Sequence, residues 1–105
     1  MRRIVDVALC CRGEMLLCLE EVRHFPGELY WIPPGGKKES KDKDDLAVIY
    51  REIEEELGIT KVALDKRGVV LRSYCEHWGN WGGRQLLVRH FIAEFEQFPQ
   101  IQFLA

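Results

Sequence analysis

The sequence lacks any apolar run close to the roughly 20 residues that a membrane-spanning helix requires. The apolar stretch that follows Met1 is interrupted at Asp6, so a secretory signal peptide is not predicted. An excess of positive charge is also missing. The 15 Lys and Arg residues face 17 Asp and Glu residues, and a net charge of -2 argues against a nucleic-acid-binding domain. These absences favour a cytoplasmic protein that binds neither membranes nor nucleic acid polymers.

Cysteines with the spacing of a zinc site are absent as well. None of the four cysteines is part of a Cys-x-x-Cys pair, so a cysteine-based zinc site is not predicted. We expect the thiols to be reduced and buried like apolar side chains. They are Cys10, Cys11, Cys18 and Cys75.

What the sequence does contain is enough apolar material for one folded domain. Hydrophobic residues make up 47% of the 105 residues, which predicts a single domain over residues 1–105. Strands on both sides of one clear helix indicate a mixed-sheet α/β or α+β domain. Residues 35–42 are predicted to form a loop. The predicted strands cover residues 3–11, 15–21, 29–32, 62–64, 68–78, 84–96 and 101–105.

The clearest predicted element is an amphipathic helix in the middle of the chain. Its N-cap is Asp42, Asp44 or Asp45, because acidic side chains suit the positive end of a helix. Gly58 is a natural residue to end it. Apolar residues that recur every three or four positions predict one buried stripe. They are Leu46, Ile49, Tyr50, Ile53 and Leu57.

Four glutamates crowd the second half of this helix. Successive helical residues rotate by roughly 100°, so Glu52, Glu55 and Glu56 share one face while Glu54 points away. A merely solvated face would intersperse lysines for pairing, and none follows Arg51 within the helix. Carboxylates at the edge of a buried face are the oxygen ligands that Mg²⁺ prefers. The alternative is an inert acidic helix.

A glycine pair precedes the helix in the segment Pro33-Pro34-Gly35-Gly36. Glycine lets a backbone bend sharply and approach a ligand closely. Because the segment follows a strand and leads toward the acidic helix, its carbonyl groups could join the carboxylates around a metal ion. The alternative is an ordinary turn between a strand and a helix.

Residues 36–59 resemble the Nudix box, GX5EX7REUXEEXGU, in which U is a bulky aliphatic residue. The second half, residues 51–59, matches without a gap, and residues 31–36 (WIPPGG) resemble the usual entry into the box. The first half departs from the pattern. Asp42 occupies the place of a glutamate, and one residue more than usual separates it from Arg51. The resemblance implies an α/β/α sandwich with a mixed β-sheet. The early end of the chain predicts a C-terminal truncation that lacks the usual last helix.

The resemblance also implies a Mg²⁺-dependent pyrophosphohydrolase that cleaves a diphosphate linkage in a nucleoside diphosphate derivative. Its substrate would be a nucleoside triphosphate, an ADP-ribose-like molecule or a dinucleoside polyphosphate. Glu52, Glu55, Glu56 and the Gly36 carbonyl would hold Mg²⁺, for which Mn²⁺ can substitute. The implied catalytic residues are Glu52, Glu55 and Arg51, with Arg51 orienting the glutamates. The alternative is a catalytically inactive Nudix-fold sensor that binds a nucleotide.

Substrate contacts outside the acidic helix are predicted at scattered positions. Glu39 stands where many Nudix proteins carry an additional glutamate. His24 lies in a predicted loop, Trp78 could stack on a nucleobase, and Arg84 and Arg89 are candidates for phosphate contacts. The expected partner is a small-molecule nucleotide, and a homodimer is compatible with the resemblance.

Overall fold

The computed structural model describes residues 2–21 and 27–97, so His24 and the predicted strand at 101–105 lie outside the described residues. Seven strands and two helices follow one another along this part of the chain. They are β1 (Arg2–Cys11), β2 (Glu14–Leu16), β3 (Cys18–Glu21), β4 (Leu29–Ile32), β5 (Gly35–Lys37), α1 (Asp45–Leu57), α2 (Lys61–Lys66), β6 (Leu71–Trp81) and β7 (Arg84–Glu94).

The main sheet is mixed, with the strand order β2-β1-β7-β6. β1 runs parallel to β7 from Arg2 to Cys10 and antiparallel to β2, and β5 pairs with β1 as well. β3 and β4 form a separate antiparallel pair. The predicted α/β architecture with a mixed sheet is therefore confirmed.

β1 alternates between two faces of the sheet, as the two-residue period of a strand requires. Val5, Val7 and Leu9 are buried in the core, whereas Asp6 and Ala8 on the other face are only partly buried. The core-facing residues pack in one cluster with the apolar side of α1 and with aromatic residues of β7 and its continuation. The helix residues in this cluster are Val48, Ile49, Ile53 and Leu57.

α1 begins after one of its three predicted N-cap candidates and ends at the predicted Gly58. Asp44 is the N-cap, and its side chain accepts a hydrogen bond from the Ala47 N–H at 2.8 Å. Gly58 ends the helix in the left-handed region with φ 71°. Leu46, which the periodicity places in the buried stripe, is 37% exposed. Asp45 is instead the first-turn side chain that faces the sheet.

Several predicted boundaries are wrong. The predicted strand at 15–21 is divided at Leu17, because β2 continues the β1 hairpin while β3 pairs with β4. Residues 62–64 lie in α2, where Thr60 caps the helix by accepting a hydrogen bond from the Ala63 N–H. The predicted loop at 35–42 begins with β5. Cys75 on β6 is exposed, so the expectation that all four cysteines are buried is also wrong.

A buried carboxylate fastens the first turn of α1 to the sheet. Asp45 accepts hydrogen bonds from Arg3 Nε at 2.6 Å and Arg3 Nη2 at 2.5 Å, and a third from Arg89 Nη1 at 3.0 Å. Its side chain is 6% exposed. The hydrogen bonds from Arg3 outweigh the effect of burial and lower the pKa of Asp45 from 3.8 to about 2. Arg89, a predicted phosphate contact, is thus engaged within the fold.

Neither of the two described helices is long and apolar enough to cross a membrane.

Asp45→Asn is expected to lower the free energy of unfolding at pH 7 by about 2 kcal/mol. Because the folded-state pKa of Asp45 lies below its ordinary value, its contribution is present above about pH 4 and is lost as the pH falls toward 2. Urea unfolding at several pH values measures the difference from the parent, which should vanish near pH 2.

Asp65→Asn is the matched control, since Asp65 pairs with Lys61 on the exposed surface of α2. Such exposed pairs contribute little to stability. Equal losses of stability in the two variants at pH 7 would contradict the role assigned to Asp45.

Candidate active site

Arg51, which lies on α1, is the centre of an acidic cluster. Its Nε and Nη2 atoms donate hydrogen bonds to the two carboxylate oxygens of Asp42 at 3.1 and 2.9 Å. Its Nη1 atom donates to Glu52 Oε1 at 2.9 Å, and Nη2 also donates to the Lys37 carbonyl at 3.2 Å. The carboxylates, Asp42 foremost, raise the pKa of Arg51 above its ordinary value. Every nitrogen of the guanidinium is therefore engaged by the protein itself.

Asp42 performs this pairing although it is shorter than glutamate and one residue farther from Arg51 than the Nudix pattern has it. The side chain is 4% exposed, and it also accepts a hydrogen bond from the Glu39 N–H at 2.9 Å. The hydrogen bonds from Arg51 hold its pKa below the ordinary range despite the burial. Asp44, within the lengthened connection, caps the helix. The extra residue thus leaves the pair of arginine and carboxylate intact.

Glu52 lies directly against the backbone of Gly36. A Cβ atom added to Gly36 would meet the Glu52 Oε1 atom at 2.4 Å and the Cδ atom at 2.8 Å. Gly36 belongs to β5 and pairs with Val5, so the contact brings α1 and the sheet together at the acidic cluster. Only a residue without a side chain leaves the Glu52 carboxylate in this position.

Burial raises the pKa of the Glu52 carboxyl group. A hydrogen bond from Glu56 and the charge of Arg51 act in the opposite direction, while the negative charge of Glu55 raises the pKa further. Glu56 is partly buried, Glu55 is 54% exposed, and Glu54 is exposed on the other side of the helix. The site therefore holds more negative charge than its one arginine balances.

A divalent cation fits this chemistry, because the donors are carboxylate oxygens and Mg²⁺ prefers oxygen ligands. Across residues 2–21 and 27–97, no three His, Cys, Asp or Glu side chains converge closely enough to hold a metal ion by themselves. Such a cation would need water and substrate phosphate oxygens to complete its shell, as is usual for Mg²⁺. The ligand set of Gly36, Glu52, Glu55 and Glu56 stays a prediction.

The predicted substrate residues differ in their position relative to the acidic cluster. Glu39 borders the cluster, with its Oε2 atom 3.8 Å from Arg51 Nη1. Trp78 lies on β6 opposite Leu87 of β7 and is 58% exposed. Its stacking on a nucleobase stays a prediction. Arg84 lies elsewhere, at the N-terminal end of β7.

Arg84 lines a cleft of about 340 Å³ together with Arg2, Lys37 and Gln85. The three cationic side chains form no ion pair with any residue in the described ranges. Lys37 directly follows Gly36 along β5, and Arg2 lies on the neighbouring β1. Arg2 and Lys37 carry no signal in the sequence, because they come close to Arg84 only through the pairing of β1 with both β5 and β7.

Comparison with known proteins identifies the fold. The model of the NUDIX domain matches residues 1–102. A solved structure of C. elegans Ap4A hydrolase in a binary complex is 18% identical, with a TM-score of 0.69 over 98% of this chain and 72% of that one. The dihydroneopterin triphosphate pyrophosphohydrolase of E. coli is 17% identical, with a TM-score of 0.72 over 96% of this chain and 73% of that one.

A MutT NUDIX hydrolase from Burkholderia pseudomallei is 20% identical, with a TM-score of 0.70 over 99% of this chain and 74% of that one. None of the curated proteins matches. At these identities the structural matches establish the fold, which is the one that the resemblance implied.

Substitution of the two adjacent glycines is expected to change different properties, metal binding at Gly36 and stability at Gly35. A Cβ on Gly36 meets the end of the flexible Glu52 side chain, whereas a Cβ on Gly35 would meet the Val5 carbonyl oxygen at 2.4 Å and the Asp6 Cα at 2.6 Å. Gly36→Ala should therefore displace Glu52 and weaken Mn²⁺ binding about tenfold without unfolding the protein. Gly35→Ala should lower the free energy of unfolding by about 1–3 kcal/mol.

Water-proton relaxation measures Mn²⁺ binding, and urea unfolding measures stability. Gly79→Ala is the control, since a Cβ there meets nothing within 4 Å and should change neither quantity. Parent-like Mn²⁺ affinity in Gly36→Ala would argue against a role for Glu52 in holding the metal.

Proposed function

The chain belongs to the NUDIX family, and from this membership we propose that it is a Mg²⁺-dependent pyrophosphohydrolase that cleaves a diphosphate linkage in a nucleoside diphosphate derivative. The observation that carries the proposal is the fixed position of Glu52. Arg51 Nη1 holds its carboxylate at 2.9 Å on one side, and the Gly36 backbone lies against it on the other. A carboxylate fixed in this way next to two further glutamates suits proton transfer and metal binding at a phosphate.

Bound Mg²⁺ would neutralise the diphosphate and lower the pKa of the attacking water. Glu52 would then take the proton of that water as it attacks phosphorus, or share in holding the cation with Glu55 and Glu56. Burial raises the pKa of Glu52, which makes its carboxylate a stronger proton acceptor. The leaving phosphate departs as the bond between the bridging oxygen and phosphorus breaks.

Arg51 acts on this reaction through other residues. Asp42 accepts hydrogen bonds from its Nε and Nη2 atoms. Glu52 accepts one from Nη1, and the Lys37 carbonyl accepts a second one from Nη2. Because its donors are already used, Arg51 is proposed to position Glu52 and not to clamp a substrate phosphate. Asp42, which is almost completely buried, holds the arginine from the side away from Glu52.

The cationic cleft supports a substrate with more negative charge than one diphosphate. Arg2, Lys37 and Arg84 bring three positive charges to one cleft, and their repulsion would be relieved by an anion. Two of the similar structures carry the names of enzymes for Ap4A and for a triphosphate. We therefore favour a nucleoside triphosphate or a dinucleoside polyphosphate over an ADP-ribose-like substrate.

Glu52→Gln should reduce kcat by at least about a hundredfold, since general-base catalysis typically contributes 10²–10⁴-fold. The change keeps the size of the side chain and removes its charge. Chromatographic separation of the nucleotide products over a panel of nucleoside diphosphate derivatives, with and without Mg²⁺, gives the rate. Glu54→Gln on the exposed side of the same helix is the control and should turn over like the parent.

The sensor alternative expects a different result from the parent protein. A parent that binds a nucleotide in the presence of Mg²⁺ but releases no product over hours would refute the enzymatic proposal and support a sensor.

Arg84→Gln should raise KM for a nucleoside triphosphate or a dinucleoside polyphosphate by roughly tenfold, the size expected for one lost charge-assisted hydrogen bond. KM for ADP-ribose should stay as in the parent, because that substrate has no further phosphates. Arg72→Gln, a change of an exposed arginine on β6, is the control. An equal rise of KM for all substrates would contradict a subsite for additional phosphates.

A further inference from the structure

The face of the main sheet that points away from α1 carries three polar side chains that the acidic site does not use. They lie on three adjacent strands: Asp6 on β1, His90 on β7 and His77 on β6. The His90 Nδ1 atom is 2.5 Å from Asp6 Oδ1, and the His90 Nε2 atom is 2.9 Å from His77 Nε2. Together they form one hydrogen-bonded row across the sheet.

The carboxylate of Asp6 determines which nitrogen of His90 carries the proton. An ionised carboxylate can only accept a hydrogen bond, so His90 donates from Nδ1 and keeps the lone pair of Nε2. His77 then donates from its own Nε2. The ring centroids are 5.0 Å apart, whereas the two Nε2 atoms are only 2.9 Å apart. Each ring therefore points its Nε2 atom toward the other ring.

We propose that His77 and His90 form a binding site for a transition-metal ion of the Zn²⁺, Ni²⁺ or Cu²⁺ class. The ion takes the place of the proton between the two Nε2 atoms, and His77 moves that proton to its Nδ1 atom. Imidazole nitrogens suit these three metals. The carboxylate behind His90 is the outer contact that metal-binding histidines almost always have, because it fixes their tautomer and orientation.

The existing geometry needs only a small adjustment. Two nitrogens at about 2.0–2.1 Å from a tetrahedral ion lie about 3.4 Å apart, roughly half an ångström more than the present separation. The exposed His77 side chain can provide this movement, whereas His90 stays in place through Asp6. Since no third ligand of the described residues converges with them, water completes the coordination.

This site is chemically and spatially separate from the acidic cluster, and it does not depend on the proposed hydrolase activity. Gly36 and Glu52 lie on the face of the sheet that α1 covers, where Gly36 pairs with the core residue Val5. Asp6 and His90 lie on the opposite face. Carboxylate oxygens suit Mg²⁺ and imidazole nitrogens suit Zn²⁺, Ni²⁺ and Cu²⁺, so the two faces would take different metals.

The test is calorimetric titration of the full chain with Zn²⁺ and, separately, Ni²⁺, in excess Mg²⁺ so that the glutamates are occupied. The parent should bind one equivalent. His77→Gln and His90→Gln should each weaken binding by at least about tenfold, and Asp6→Asn by about 10–100-fold. Controls are Cys75→Ser, which removes an exposed thiol opposite His90, His24→Gln, which removes the third histidine of the chain, and Glu56→Gln.

All three control variants should bind as the parent does. His77 is exposed, so His77→Gln should keep the urea-unfolding midpoint of the parent, and it decides the outcome if His90→Gln fails to fold. The proposal is overturned if the parent binds neither ion in excess Mg²⁺, or if His77→Gln binds like the parent. It is also overturned if Cys75→Ser, His24→Gln or Glu56→Gln alone removes binding.

Discussion

The two-pronged ion pair between Arg51 and Asp42 is the interaction on which the acidic cluster depends. It joins the middle of α1 to the connection that precedes the helix, and both partners are largely shielded from water. Loss of one partner of a buried pair leaves an uncompensated charge and typically costs about 3–5 kcal/mol. The pair therefore fixes the geometry and the stability of the cluster together, and Glu52 takes its position from the same guanidinium.

The parts of the fold that could be read from the sequence are those determined by neighbouring residues. The spacing of Ile49, Ile53 and Leu57 and the terminal Gly58 are local signals that the structure confirms, and Asp44 is one of the three predicted N-cap candidates. The acidic helix with its glycine pair was recognised for the same reason. A motif that lies within one helix and one turn needs no knowledge of the rest of the fold.

What the sequence did not reveal depends on strand pairing between distant residues. β5 has three residues and exists only because it pairs with β1, some thirty positions earlier. The contacts of Asp45 with Arg3 and Arg89 and the grouping of Arg2 with Arg84 arise from β1 lying between β5 and β7. For residues 62–64, apolar side chains suit a strand and a helix equally, and the Thr60 cap accompanies the helix.

β1 also determines where the chain can tolerate a change of length. The connection before α1 already accommodates one residue more than the Nudix pattern, because Asp42 still reaches Arg51. A deletion within β1 has no such freedom, since a shift by one position exchanges the two faces of the strand. It would turn Asp6 toward the core and Val5 toward the face that carries His90. Gly35 and Gly36 would no longer pair with Asp6 and Val5. Variation in length among relatives of this chain should therefore gather in the connections, while β1 keeps its residue count.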